Sequence, residues 1–352
     1  MKYSETYRHS AGIFATTCGL LGAAAVLASV VRVEVRPVVL LAGWMPVWVG
    51  VALVGAVVAA AAGRWVAQAL CMVVCVLGAW LLAPLYVPDS ATVEGPTLTV
   101  MQANVKRGQA DPALLVQTVR ERNVDVLTVQ ELTDETVDGV AAAGMGDLLP
   151  HRIEISHGPS GLGGGIYSRF PLSNVRELDG FLSSNIVADV DVGLGEPVAV
   201  LAVHPAPAYL FPAPMWASEL RALGTEFDTL SDRDNVIAVG DFNASWPQRQ
   251  YRDLLTDGYT DAADQVGAGL LPTMPAHRWY PAVTGIDRIV TKGATVSELE
   301  RITIAGSDHH GLVAVVGGGG GGGGGGAPTP PPPPPHSAPT PTTARGGPPS
   351  AR

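Results

Sequence analysis

Lysine is nearly absent from this chain: among 352 residues only Lys2, Lys106 and Lys292 occur. Arginine is more frequent, and Ala, Val and Gly dominate, a pattern that points to GC-rich coding and not to chemistry. The shortage of positive charge carries more meaning in residues 95–316. There 15 Lys plus Arg face 28 Asp plus Glu, a net −13. A protein that grips nucleic acid without sequence preference normally carries a basic face, so this composition argues against a nuclease. Cysteine is missing from the same stretch. Cys18, Cys71 and Cys75 all lie upstream, leaving no thiol to oxidise, which suits an extracytoplasmic domain. Charge is missing from residues 11–87, apart from Arg32, Glu34, Arg36 and Arg64.

What remains in residues 11–87 is three apolar runs, 11–31, 38–62 and 65–87. Each is near the about 20 residues that cross a hydrocarbon core. Three transmembrane helices are therefore expected. A cleavable signal peptide fits poorly, because two further spanning runs follow the first. With the N-terminus inside, Lys2, Arg8 and Arg64 fall on the cytoplasmic side and Arg32 and Arg36 outside, a narrow margin for the positive-inside rule. No Lys or Arg lies between Arg64 and Lys106. An odd number of spans puts the rest of the chain outside, as a multi-pass protein of the cell membrane.

After an N-terminal segment, 1–10, and the three helices comes a linker, 88–96, with Pro88 and Pro96. A globular domain is expected over 97–316. Its first strand, 97–103, is followed by Asn104. Asp111-Pro112 reads as a helix start, an N-cap carboxylate followed by proline in the first turn. Residues 124–130, VDVLTVQ, read as a buried strand ending at Glu131. That strand–helix–strand order is a parallel crossover, and ligands gather at the carboxyl ends of such strands. A glycine-rich stretch, 158–165, leads into Ile166-Tyr167-Ser168-Arg169. Strands are expected at 185–192, 197–203, 235–239, 285–291, 296–304 and 312–316, with a helix at 215–229. Strands outnumber helices, which suggests an α/β fold of two sheets face to face with helices outside. Residues 317–352, ten glycines and then a proline-rich stretch, are expected to be a disordered tail.

The chemistry-bearing pieces are Asn104, Gln130-Glu131, His204, Gly240-Asp241-Phe242-Asn243, Ile286-Asp287 and Ser307-Asp308-His309. Nearly all stand at or beyond the end of an apolar run. In this order they resemble the endonuclease/exonuclease/phosphatase superfamily, over residues 97–316. The resemblance implies a DNase I-like, four-layer α/β sandwich and a metal-dependent phosphoric ester hydrolase. It casts Glu131, Asn104 through its carbonyl, and Asp308 as metal ligands, with Mg²⁺ as the ion and Mn²⁺ as a substitute, since oxygen donors suit a hard cation. Asp241 becomes the base for the attacking water and Asn243 a donor to a phosphoryl oxygen. His309, oriented by Asp287, sits near phosphorus, and His204 stabilises negative charge. Nuclease members carry a glutamate before the Ser-Arg strand to orient that second histidine. This chain has Gly-Leu-Gly-Gly-Gly at 161–165 instead, which leaves His204 held differently or the loop open to a bulkier substrate. His310 is expected on the opposite face of its strand. His151, His157 and His277 are expected to be solvated.

Three N-terminal helices before this domain also resemble the VanJ-type membrane proteins of glycopeptide (teicoplanin) resistance. That likeness implies hydrolysis of a lipid-linked phosphate, a polyprenyl (undecaprenyl) pyrophosphate, at the outer membrane face; the acidic composition argues against nucleic acid as a partner. Alternatives are a phosphodiesterase of the phospholipase or sphingomyelinase kind, a Mg-dependent endonuclease, or a degenerate domain that only binds.

Overall fold

Four helices precede the domain: α1 (Lys2–Val30), α2 (Arg36–Gly43), α3 (Met45–Ala61) and α4 (Trp65–Leu82), the last prolonged by a 3-10 turn, Ala83–Tyr86. The computed structural model describes residues 2–89, 93, 95–193 and 195–318. Two stretches, Glu5–Val30 and Trp65–Tyr86, are long and apolar enough to cross a membrane. The first reaches back through residues expected to be a separate N-terminal segment. The middle run, expected as one transmembrane helix, is instead two, α2 and α3, which meet at 67°. Pro46 lies in the first turn of α3 and has no N–H to continue the ladder of α2, so the helix breaks at Trp44. The 17 residues of α3 span only about 26 Å, short of a hydrocarbon core of about 30 Å. Small residues let the helices approach: Ala15, Ala52 and Ala59 are fully buried.

The domain follows as β1 (Thr97–Asn104), α5 (Pro112–Glu121), β2 (Val126–Leu132), α6 (Asp134–Ala142), α7 (Met145–Leu148), β3 (His151–Ile155), β4 (Gly163–Ser168) and β5 (Leu172–Glu177). Then come β6 (Ile186–Val190), β7 (Val198–Val203), α8 (Ala213–Thr229), β8 (Val236–Asp241), α9 (Arg249–Arg252), β9 (Tyr259–Asp261), α10 (Ala262–Gln265), β10 (Asp287–Lys292), β11 (Ala294–Thr303) and β12 (His310–Gly318). They form two six-stranded sheets, β11-β12-β1-β2-β4-β3 and β5-β6-β7-β8-β10-β9. Each sheet holds one parallel pair with a helical crossover, β1–β2 through α5 and β7–β8 through α8. The carboxyl ends of those two pairs deliver Asn104, Glu131, His204 and Asp241.

Alternation along the strands sorts the core into layers. Val100, Val126, Ile166, Val200 and Ile237 pack between the sheets. Met101 and Leu127 face the other way, against Leu115, Val119 and Val140 of α5 and α6. On the far side Leu201 and Ala238 pack under Trp216, Leu220 and Phe227 of α8, and this cluster continues into Val39, Val74, Leu82 and Leu85 of the N-terminal helices. The result is the two-sheet α/β sandwich expected.

Strands β3, β5 and β9 and helix α6 add to the elements expected, and two expected boundaries shift at glycines. The glycine-rich stretch is no open loop: its second half is β4, buried between β2 and β3. A Cβ on Gly164 would come within 3.0 Å of the Ser184 carbonyl, and one on Gly163 would strike the carbonyl oxygens of Leu132 and Ile155. Close backbone approach, not room for a substrate, explains those glycines. Gly317 and Gly318 finish β12, pairing with Thr295 and Ala294. The remainder of the expected tail lies outside the described residues.

Candidate active site

The site forms where the two sheets meet at their carboxyl ends. Asn104, wholly buried at the end of β1, bridges them. Its Nδ2 donates to Glu131 Oε1 and to Asp241 Oδ2, each at 3.1 Å. Its Oδ1 accepts from the Lys106 N–H at 2.9 Å. The amide nitrogen, not the carbonyl oxygen expected to face a metal, therefore lies between the carboxylates, because the turn after β1 needs an acceptor. Glu131 sits on a bulge, with the β2–β4 register slipping between Gln130 and Leu132 and a φ of 60°. Such a bulge re-aims one side chain at the end of a strand.

Asp241 ends β8, opposite Asp287 on β10. The residue before it must be glycine, since a Cβ on Gly240 would collide with the Val203 carbonyl across the parallel pair. The Asn243 N–H donates to Asp241 Oδ1 at 2.9 Å, and its side-chain Nδ2 donates to the Pro205 carbonyl at 2.8 Å. The loops after β7 and β8 are thereby tied together.

Two imidazoles flank Asp241 Oδ2, His204 Nε2 at 3.9 Å and His309 Nδ1 at 3.8 Å. His309 Nδ1 lies 2.9 Å from Asp287 Oδ2, and the other oxygen of Asp287 accepts from Gln102 Nε2 at 2.6 Å. Ser307 Oγ accepts from the His309 N–H and donates to the Asn104 carbonyl, joining β12 to β1. Among the described residues no glutamate orients His204. Its main chain instead exchanges two hydrogen bonds with the Asn185 side chain, at 2.7 and 3.1 Å, and its Nδ1 is buried without a partner.

Burial sets the charges. It pushes the carboxyls of Asp241 and Glu131 up, against the pull of His309 on the first and of Asn104 on the second. It pushes His204 down, towards the neutral imidazole. Burial would lower His309 too, but the Asp287 and Asp241 carboxylates outweigh it and hold the ring up to about 10. The site thus pairs one charged imidazole with one neutral one.

Asp241, Asp287 and His309 bring donor atoms within 4.8 Å of one another, a possible metal-binding cluster. Of the residues expected as ligands, Glu131 joins this cluster through Asn104. Asp308 is half-buried beside it, and its charge raises the Glu131 carboxyl. A buried carboxyl, Asp241, and a half-buried one, Glu131, both pushed up by desolvation with a single amide between them, fit a hard cation that would supply the missing positive charge.

The expected residues therefore lie in one place. Sequence reading missed Gln102, Asn185 and Tyr209. Gln102 had a signal, a polar residue two positions before Asn104 on the same face of an apolar strand. Tyr209 lies near Asp241, Glu131 and Asp308; burial first, then their charges, push its hydroxyl up to about 12. His157 is exposed, as expected, and lies 3.0 Å from Ser184 Oγ and 3.8 Å from Glu177. The His310 N–H donates to the Thr273 carbonyl, away from the cluster.

Residues 101–309 match the Endonuclease/Exonuclease/phosphatase family. The chain belongs to that family. Its members hydrolyse phosphodiester bonds, and the site holds the carboxylates and imidazoles such hydrolysis uses. No curated protein matches the chain. Among solved structures, D. rerio TDP2 complexed with single strand DNA product is 18% identical with a TM-score of 0.53, covering 63% of this chain and 99% of that one. A humanized D. rerio TDP2 carrying 14 mutations is 17% identical, TM-score 0.53, over 62% and 98%. TDP2 from C. elegans is 15% identical, TM-score 0.50, over 64% and 76%. At this identity the likeness is one of fold.

Proposed function

We propose that this chain is a membrane-anchored, metal-dependent phosphohydrolase that takes a polyprenyl pyrophosphate to the monophosphate on the outer face of the cell membrane. The VanJ-type resemblance extends the reading to cell-wall synthesis and glycopeptide resistance. What carries it is the position of the site. The segment directly after Asn243 rests on the N-terminal helices: Trp246 Nε1 donates to the Leu81 carbonyl at 3.0 Å and Gln248 Nε2 to the Val39 carbonyl at 3.2 Å. The reacting groups thus stand close to the lipid surface, where membrane-borne phosphates are concentrated. The net charge of −13 over residues 95–316 disfavours a polyanion such as duplex DNA, whereas a lipid diphosphate presents one compact group.

In this reading α1, the bent α2–α3 pair and α4 are three spans. Arg32 pairs with Asp253, and Arg36 donates to the Leu210 and Phe211 carbonyls, so the basic residues between α1 and α2 answer to the domain. At the other end Arg8 donates to the Ala62 carbonyl. An N-terminus inside and a domain outside follow from the balance that remains.

Mg²⁺, or Mn²⁺ in its place, would be held by Glu131 with Asp308, beside the Asp241 carboxylate, and would supply positive charge to the phosphate oxygens. Asp241, raised by burial, takes the proton of the attacking water. His309, charged and fixed through Nδ1 by Asp287, offers its other ring N–H to developing negative charge. Neutral His204 donates from the opposite side. One amide N–H of Asn243 holds the Pro205 carbonyl, and its second remains for a phosphoryl oxygen.

The test is the detergent-purified protein with Mg²⁺ against prenyl pyrophosphates, phospholipids and plasmid DNA. Phosphate release from the pyrophosphates is expected, lost in EDTA and restored by Mg²⁺ or Mn²⁺. Cleavage of plasmid DNA with no phosphate released would overturn the reading, and phospholipid cleavage alone would replace it with the phosphodiesterase.

A further inference from the structure

We propose that the N-terminal helices hold the reacting groups in place as well as anchoring them, and that Arg36 and Gln248 are the positioning residues. Two loops carry half of the site: the one from His204 to Phe211 and the one from Asp241 to Gln248. Both end on α2. Arg36 Nη2 donates to the Phe211 carbonyl at 3.0 Å and, more weakly, to that of Leu210 at 3.4 Å. Gln248 is buried, its Nε2 donating to the Val39 carbonyl. Its Oε1 accepts from the Ser245 N–H at 2.7 Å and from Ser245 Oγ at 3.2 Å.

The loops are also bonded to each other, through Asn243 Nδ2 and the Pro205 carbonyl. A closed circuit results. It leaves α2 at Arg36, runs along the first loop to His204 and Pro205, crosses to Asn243 and Asp241, passes through Ser245 to Gln248, and returns to α2 at Val39. Residues 36 and 39 share one helical turn, so the circuit closes on a single rigid piece. Nothing comparable is needed on the first sheet, where Asn104 pairs with Gln130 in the β1–β2 ladder and its side chain donates to Glu131. A displacement of about 1 Å in reacting groups can cost on the order of 100-fold in rate. A buried amide such as that of Gln248 has no water to replace a lost partner.

The inference rests on reading His204 and Asp241 as reacting groups, so its test has one arm that needs no turnover. Full-length Arg36→Ala, Arg36→Lys and Gln248→Ala proteins, and the Arg36→Ala/Gln248→Ala double variant, are compared with the parent in lipid nanodiscs. Farnesyl pyrophosphate with Mg²⁺ is the probe for turnover, and amide hydrogen exchange follows segments 204–212 and 241–249. Each single alanine variant should lower kcat about 10- to 100-fold with KM within about twofold. Exchange should rise in both segments while 97–104 and 126–132 stay protected. Arg36 is exposed, so the thermal midpoint of its alanine variant should not move, and Arg36→Lys should restore most of kcat by keeping one donor. The double variant should be little worse than either single, because a circuit cut once is already open. Parental exchange in both segments of Arg36→Ala and Gln248→Ala would overturn the proposal, as would a kcat loss matched by an equal loss of folded protein. If the parent leaves farnesyl pyrophosphate intact, the functional reading fails and the exchange arm alone decides this one.

Discussion

The two sheets of the sandwich are covered in different ways. The first is closed by helices of its own domain, with Leu115, Val116, Val119 and Val140 over Met101 and Leu127. The second is closed by α8 and then by the N-terminal helices, in one apolar cluster running from Phe227 and Trp216 to Leu82 and Leu85. Polar contacts follow the same junction: Arg252 donates to the Ser29 carbonyl at 2.6 Å, and the Gly269 N–H to that of Leu85 at 2.6 Å. Arg221 pairs with Glu34 there as well. A membrane anchor on a flexible tether would share no core with its cargo. Here the second sheet lacks a complete cover without the helices, and that sheet supplies Asp241, Asp287 and His204.

The sharpest break between the halves is chemical. Asp241→Asn should lower turnover by roughly 10²- to 10⁴-fold, because the variant keeps the shape of the site and loses the proton acceptor. Its thermal unfolding should stay near that of the parent. Unchanged turnover in a folded Asp241→Asn protein would remove Asp241 from the role of base and shift attention to the first-sheet carboxylate, Glu131.

Most of the first half was legible in the sequence. Alternating apolar residues gave β1, the Asp111-Pro112 start gave α5, and Asp111 Oδ1 does accept from the N–H groups of Ala113 and Leu114. Asn104 and Glu131 were found because each follows an apolar run. The bulge that turns Glu131 was not legible, since a φ of 60° at a glutamate has no local sequence signal. Nor was the break at Trp44, despite Pro46: in an apolar run a proline can kink a span or end it, and nothing local distinguishes the two. The glycines at 163–165 misled for a related reason. Composition shows that side chains are missing but not that neighbouring backbone fills the space. Asn185 and Gln248 act through main-chain groups far away in sequence, contacts that no spacing encodes.

A shared core makes a prediction about stability. Leu85 lies before the domain in sequence yet is fully buried, as is Leu115 within the domain at 3% exposure. Leu85→Ala and Leu115→Ala should each cost about 2–5 kcal/mol, the usual range for such a cavity. Both should shift the same unfolding transition, followed by the fluorescence of buried Trp216. If Leu85→Ala left that transition where it was, the helices and the domain would be energetically separate, and the comparison between the two faces would collapse to one of proximity.

The smallest effect expected lies at the edge of the junction. Asp264 on α10 is held up to about 6, from an ordinary 3.8, by burial and then by the carboxylates of Asp261 and Asp89. Asp89 belongs to the connection from α4, and its N–H donates to the Gln265 carbonyl at 2.8 Å. Because the folded value lies above the unfolded one, the fold favours the protonated carboxyl. That contribution is complete below about pH 4 and is lost as the pH rises through 6. Asp264→Asn should therefore leave stability at pH 4 nearly unchanged. It should flatten the decline between pH 4 and 6, with a gain at pH 7 of roughly a few tenths of a kcal/mol, since the half-exposed carboxyl is screened by water. Urea unfolding of both proteins across that range measures the difference. Parallel curves from pH 4 to 7 would mean that the Asp264 carboxyl is not raised in the fold, and that α10 leaves it in water instead of burying it beside Asp261 and Asp89.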